Sequence, residues 1–106
     1  MATGILGQAD LSGATYTTAY TVPTDTFTVA TVSVCNRGGQ AVAIRMALAA
    51  TGTPSNAEFI EFDTEILGRG VLERTGIVMN AGKRLIVYAS AANVSVSVYG
   101  IETSTV

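Results

Sequence analysis

The feature that most limits what this chain can fold into is an alternation of period two. Val42, Ile44, Met46 and Leu48 are large and apolar, and the residues interleaved with them are Ala41, Ala43, Arg45, Ala47 and Ala49. Successive side chains of a strand point to opposite sides, so this pattern lays one face of a strand over residues 41–49 on a core. Val94, Val96 and Val98 alternate with Ser95, Ser97 and Tyr99 and predict a second strand over residues 93–101. In residues 27–36 the apolar set begins on Phe27 and Val29 and then changes phase to Ala30, Val32 and Val34, the pattern of a β-bulge. Weaker strand patterns cover residues 16–22, 58–66, 71–79 and 84–90, with a short edge piece near 5–11, so seven or eight strands are expected.

The breaks between these runs have their own chemistry. Pro23 lacks the amide proton that a ladder needs and ends the strand before it. Asn36-Arg37-Gly38-Gly39-Gln40 and Asn80-Ala81-Gly82-Lys83 supply left-handed backbone positions and predict hairpin turns. Gly52-Thr53-Pro54-Ser55-Asn56, the longest irregular stretch, is expected to carry the chain from one sheet to another. Many short strands at this spacing predict one all-β domain over residues 1–106. Its form is a small β-sandwich of seven to eight antiparallel strands, jelly-roll-like or immunoglobulin-like. The N-terminal segment 1–13 and the C-terminal tail 102–106 are expected to be mobile or swapped with a neighbour.

Charge narrows the function classes. Six Lys and Arg stand against eight Asp and Glu, a net charge of −2, and charged residues are 13% of the chain. Such a surface cannot neutralise a run of phosphates, so neither nucleic acid nor an anionic membrane is an expected partner. The chain has no His and no Trp, and Cys35 is its single cysteine. That removes imidazole acid-base chemistry, nearly all zinc sites and any internal disulfide. The first 13 residues carry no basic and apolar signal pattern, and no apolar run approaches membrane-spanning length, so synthesis in a cytoplasm without secretory export is expected.

The remaining chemical constellations are weak. Glu58, Glu61, Asp63 and Glu65 are the only charge cluster, with the last three expected on one strand face. Glu61 and Glu65 are four residues apart, about 13 Å at the rise of a strand, which is too far for one cation to engage all three. A solvated face paired with Arg69, Arg74 or Arg84 is the simpler expectation, with an intersubunit salt bridge as the other. Cys35 beside Arg37 reads either as a thiol of lowered pKa or, without a base, as a buried structural thiol. Ser90 or Ser95 with Lys83 has no motif spacing of a Ser-Lys dyad. Asn93-Val94-Ser95 matches a glycosylation sequon, and Gly68-Arg69-Gly70 leads into no helix that would hold a phosphate. Tyr16 and Tyr20 are expected on one strand face, packed in a core or interface or stacked on a sugar ring. No catalytic, cofactor-binding or metal-binding residues are assigned, and no enzyme is expected.

What the strands leave outside is unusually neutral. Ala43, Ala47, Ala49, Thr28, Ser95 and Ser97 are expected on flat, uncharged sheet surface, which free-standing domains normally blunt with charge. The strings Val32-Ser33-Val34-Cys35-Asn36-Arg37-Gly38, Ala57-Glu58-Phe59-Ile60-Glu61-Phe62-Asp63 and Gly70-Val71-Leu72-Glu73-Arg74-Thr75-Gly76, followed by Asn93-Val94-Ser95-Val96, resemble small β-rich virion structural proteins of tailed bacteriophages. The resemblance spans residues 22–102. It implies a non-enzymatic virion component in many copies, set on the capsid as decoration or on the neck, baseplate, tail or fibre. The implied partners are other virion proteins and further copies of the chain. A carbohydrate-binding module using Tyr16, Tyr20, Tyr88 or Tyr99 is the alternative expectation.

Overall fold

The computed structural model describes residues 2–106 and contains eight strands in two four-stranded antiparallel sheets. The strands are β1 (Thr3–Leu11), β2 (Thr15–Thr21), β3 (Thr26–Asn36), β4 (Val42–Ala49), β5 (Phe59–Ile66), β6 (Val71–Met79), β7 (Arg84–Ala89) and β8 (Val94–Ser104). The first sheet has the order β1-β8-β3-β6 and the second β2-β7-β4-β5. Pairing runs β1 with β8, β2 with β7, β3 with β6 and β4 with β5, as in one long hairpin. Rolling that hairpin up joins β3 to β8 and β4 to β7. This is the jelly-roll form of the sandwich, two interlocked Greek keys.

The roll reverses the expected roles of the connections. Residues 36–41 and 80–83 are not hairpin turns, because β3 and β4, and likewise β6 and β7, lie in different sheets. Residues 50–58, expected to cross, instead join β4 and β5 within one sheet. Turn chemistry fixes where a chain bends; the sheet it enters next is set by which apolar faces meet. The loop 50–58 is held by Glu58, whose carboxylate accepts the amides of Ser55 at 2.8 Å and Ala50 at 3.1 Å. Those backbone donors hold its carboxyl below the usual range.

Between the sheets lie Val32 and Val34 of β3, Val42, Ile44 and Met46 of β4, Leu85 and Val87 of β7, and Val94, Val96 and Val98 of β8, all buried. The alternations in β4 and β8 therefore face the core as expected. The phase change expected in β3 does not occur: Thr26, Thr28, Ala30, Val32, Val34 and Asn36 all point inward, and Phe27 and Val29 face solvent. Two threonines at inward positions disguised the register. Asn36 closes the other end of that row, with its Nδ2 2.7 Å from the Gln40 carbonyl and 3.2 Å from those of Ile66 and Leu67. Its Oδ1 accepts the Gly38 amide at 3.0 Å.

Every register shift places the extra residue on an outer strand: between Ile5 and Gly7 in β1, between Thr18 and Tyr20 in β2, twice in β5, and between Arg74 and Ile77 in β6. The β3–β8 and β4–β7 ladders at the centres run without a shift. Bulges bend an edge away from further pairing, which is one way proteins blunt it. One long side of the sandwich is clamped by Arg74 of β6, which donates to the Glu61 carboxylate and, at 3.1 Å, to the Ile60 carbonyl of β5. The other side closes by backbone approach at Gly7, where a Cβ would lie 2.2 Å from the Ala19 carbonyl oxygen.

Residues 3–11, expected as a mobile or swapped segment and a short edge piece, form the full edge strand β1. Residues 102–104 of the expected tail continue β8; Met1 lies outside the described residues. Among the described residues no helix is long and apolar enough to cross a membrane. Gly7→Ala is expected to cost about 1–3 kcal/mol in urea unfolding, the usual penalty of forced overpacking. Gly39→Ala, whose Cβ meets nothing within 4 Å, should change stability by less than about 0.5 kcal/mol.

Candidate interaction surfaces

The outer face of the second sheet carries an aromatic cluster. Register sets Tyr16 of β2 beside Tyr88 of β7 and Tyr88 beside Arg45 of β4. The Tyr16 and Tyr88 rings are 5.0 Å apart, and Phe59 and Phe62 meet edge to face at 5.1 Å. The Arg45 guanidinium lies between rings, 4.3 Å from the centroid of Phe62 and 4.7 Å from that of Tyr88. It donates to Asp63 at 2.7 Å and to the Tyr16 hydroxyl at 3.0 Å. The sheet-long pairing that assembles these residues spans distant parts of the chain, and no local sequence signal marks it. Phe59 packs over Ala47, Ala49 and Ile86, which are buried. Two of the alanines expected on open sheet surface are thus under cover, and Thr28, expected outside, is inside.

The sequence-derived candidates separate in space. Glu61, opposite the inward-facing Met46, turns to Arg74, whereas Asp63 pairs with Arg45 through a bulge in which its own φ is 54°. The two carboxylates therefore do not share the strand face assigned to them, and Glu58 serves the loop before β5. The Thr64 hydroxyl, donating at 2.6 Å, and Arg74 hold the Glu61 carboxyl below its ordinary value. Among the described residues no three metal-ligating side chains cluster. Cys35 is half-buried on the outer face of the first sheet, beside Ser95 and Val71, and not in the core. Lys83 and Ser90 flank opposite ends of β7, while Ser95 lies on β8. Asn93 is exposed in the β7–β8 connection, where its carbonyl accepts the Arg37 amide at 2.8 Å. A depression of about 230 Å³ among the loops at that end is lined by Asn36, Gln40, Asn93 and small residues.

The outer face of the first sheet is bare by comparison. Val78 of β6, Val29 of β3 and Ile101 of β8 form one cross-strand row. They are 64%, 42% and 55% exposed, and Phe27 and Ile5 beside them are 37% and 61% exposed. Thr3, Thr31 and Thr103 fill the neighbouring outward positions, and Tyr99 donates its hydroxyl to Glu73 at 2.8 Å. Comparison of the chain with protein-family models, curated proteins and solved structures returns no match.

Tyr16 and Tyr20 fall on opposite faces, because the β2 bulge lies between them; Tyr20 is buried. Its hydroxyl donates to Glu102 at 2.5 Å and is 2.8 Å from the Thr28 hydroxyl, while the Ala2 amide donates to the other Glu102 oxygen at 2.9 Å. This group ties β2, β3, β8 and the start of the chain together. Burial, together with the adjacent carboxylate, pushes the Tyr20 phenol up to about 12. The hydrogen bond from Tyr20 holds the Glu102 carboxyl below its usual range. Tyr20→Phe strands two buried oxygens and is expected to cost about 1–3 kcal/mol in chemical denaturation. Because the folded pKa of Glu102 lies below the unfolded value of about 4.3, its contribution is complete above that value and drains away as pH falls through the folded pKa. Melting temperatures of the native chain should therefore fall more steeply below pH 4.3 than those of Glu102→Gln.

Proposed function

We propose that this chain is a non-enzymatic structural module of a tailed-phage virion, present in multiple copies and held to neighbouring subunits through neutral sheet surface. The observation that carries the reading is the uncharged apolar row Val78, Val29 and Ile101, left uncovered on the first sheet. Charge supports it from the other direction. Asp10 with Arg37, Asp63 with Arg45, Glu61 with Arg74 and Glu58 with Lys83 are paired inside the chain, and Glu102 is engaged by Tyr20. Few ionic groups are left to recognise a partner, so contact energy must come from apolar packing and hydrogen bonds. The jelly roll is shared by capsid and lectin domains, which is an analogy of architecture and adds only weight. The sequence resemblance supplies the particle.

A second reading, a carbohydrate-binding module, is favoured by one observation, the ring cluster of Tyr16, Tyr88, Phe59 and Phe62. Aromatic faces stack on sugars, but a sugar site also needs free polar groups to fix orientation. Here the Arg45 guanidinium is already engaged by Asp63 and Tyr16. Tyr20 is withdrawn into the core, and Tyr99 lies on the other sheet bound to Glu73.

Purified particles washed through a salt series are expected to retain the protein at fixed stoichiometry, because screening weakens ionic contacts and leaves apolar ones. Release at moderate salt would mean a charge-driven attachment, and absence of the chain from particles by mass spectrometry would end the virion reading. Binding on a glycan array that is abolished by Phe62→Ala would establish the alternative.

A further inference from the structure

We infer that the outer face of the first sheet is the contact face of a two-fold dimer of this chain. The inference rests on the assembly reading and names the surface and the partner. Its starting point is the difference between the two outer faces. On the second sheet Phe59 covers Ala47, Ala49 and Ile86, and Arg45 fills the space between Phe62 and Tyr88, so the chain covers part of this face itself and leaves Phe62, 57% exposed, and part of Tyr16 in solvent. On the first sheet Val78, Val29 and Ile101 stand in a row with Phe27 and Ile5 beside them, and nothing from the described residues lies over them. These are large side chains standing out from a sheet face, and a second sheet can pack on such a face at about 10 Å.

Edge pairing is the competing mode, and the bulges argue against it. β1 and β6, the outer strands of this sheet, each carry one, so neither presents an unbroken ladder to a neighbouring strand. The face remains. With strands about 4.8 Å apart and a rise of about 3.3 Å per residue, four strands of roughly nine residues make a face on the order of 20 by 30 Å. A stable pair needs about 800 Å² of accessible surface from each partner, which the footprint of roughly 600 Å² approaches and the flanking loop residues complete.

The occupant is a second copy because a two-fold contact requires a surface complementary to itself. An uncharged row meets that condition, since no charge on it needs an opposite charge across the axis. The outward carboxylates elsewhere on the face are engaged within the chain, Glu73 by Tyr99 and Asp10 by Arg37. A partner of different sequence chosen by charge would find no ionic feature on the row to read.

The test is sedimentation of the purified full chain, which is expected to run as a dimer at micromolar concentration. Val78→Asp places a carboxylate in the desolvated centre and should raise the dimer dissociation constant at least about tenfold. Leu67→Asp, at a residue 67% exposed in the β5–β6 connection, should leave the dimer intact. If Val78→Asp fails to fold by circular dichroism, the milder pair Val29→Thr and Ile101→Thr is expected to weaken the dimer in the same direction. A monomeric native chain, a trimer, or a dimer unmoved by the row substitutions and broken by Thr18→Lys on the opposite sheet would each overturn the inference. A monomer that is still retained on particles would remove this interface and keep the assembly reading. A dimer missing from particles would do the reverse.

Discussion

The architecture depends on one constraint: each strand can give only every second side chain to a core, so two sheets must press their aliphatic faces together. Val32 and Val34 of β3 and Val94, Val96 and Val98 of β8 meet Ile44 and Met46 of β4 and Leu85 and Val87 of β7. These four strands are the centres of the two sheets, and their ladders are unbroken. Regular pairing is therefore kept where the buried side chains are, and irregularity is pushed to the outer strands. A one-residue slip in a central strand would turn its whole aliphatic set to solvent, whereas a bulge in β1 or β5 re-aims only a few side chains.

A core built this way has ends, and here the ends are polar. At one, Thr28, Tyr20 and Glu102 satisfy one another; at the other, Asn36 gathers carbonyls from Gln40, Ile66 and Leu67. Among the described residues no buried side-chain nitrogen or oxygen lacks a partner. Unmet polar atoms at these depths would each cost about 1–3 kcal/mol, so the networks also fix the geometry of the roll. Asn36 holds the β3–β4 and β5–β6 connections together, and Glu102 holds the chain start and end against β2.

Strand identity was legible because alternation is a local property. Residues 71–79 were expected as a strand and are β6, and the other strands begin or end within a few residues of their expected positions. What the pattern could not carry was pairing over distance. The turn residues around Gly38 and Gly82 suit a tight bend of either kind, and only the match of aliphatic faces decides that they cross between sheets. The misread register of β3 has the same origin. Thr28 looks like a solvent residue until Tyr20, 8 positions away, and Glu102, 82 positions from Tyr20, give it a reason to be inside. Arg45 was equally opaque, since its neighbours Phe62, Asp63, Tyr16 and Tyr88 come from three other strands.

The same buried threonines explain why the first sheet is apolar outside. In β3, Thr26 and Thr28 occupy inward positions, which leaves Phe27 and Val29 outward at the end where β8 contributes Ile101 and β6 contributes Val78. Exchanging the two sets would suit a solitary domain better, with threonine in water and phenylalanine and valine in the core. The observed arrangement instead uses Tyr20 and Glu102 to satisfy Thr28 in the interior while large apolar side chains stay in solvent. In a monomer that arrangement loses apolar burial worth roughly 25 cal/mol per Å². A neighbouring surface over the row would restore the loss, and this is how the inversion in β3 bears on the proposed assembly.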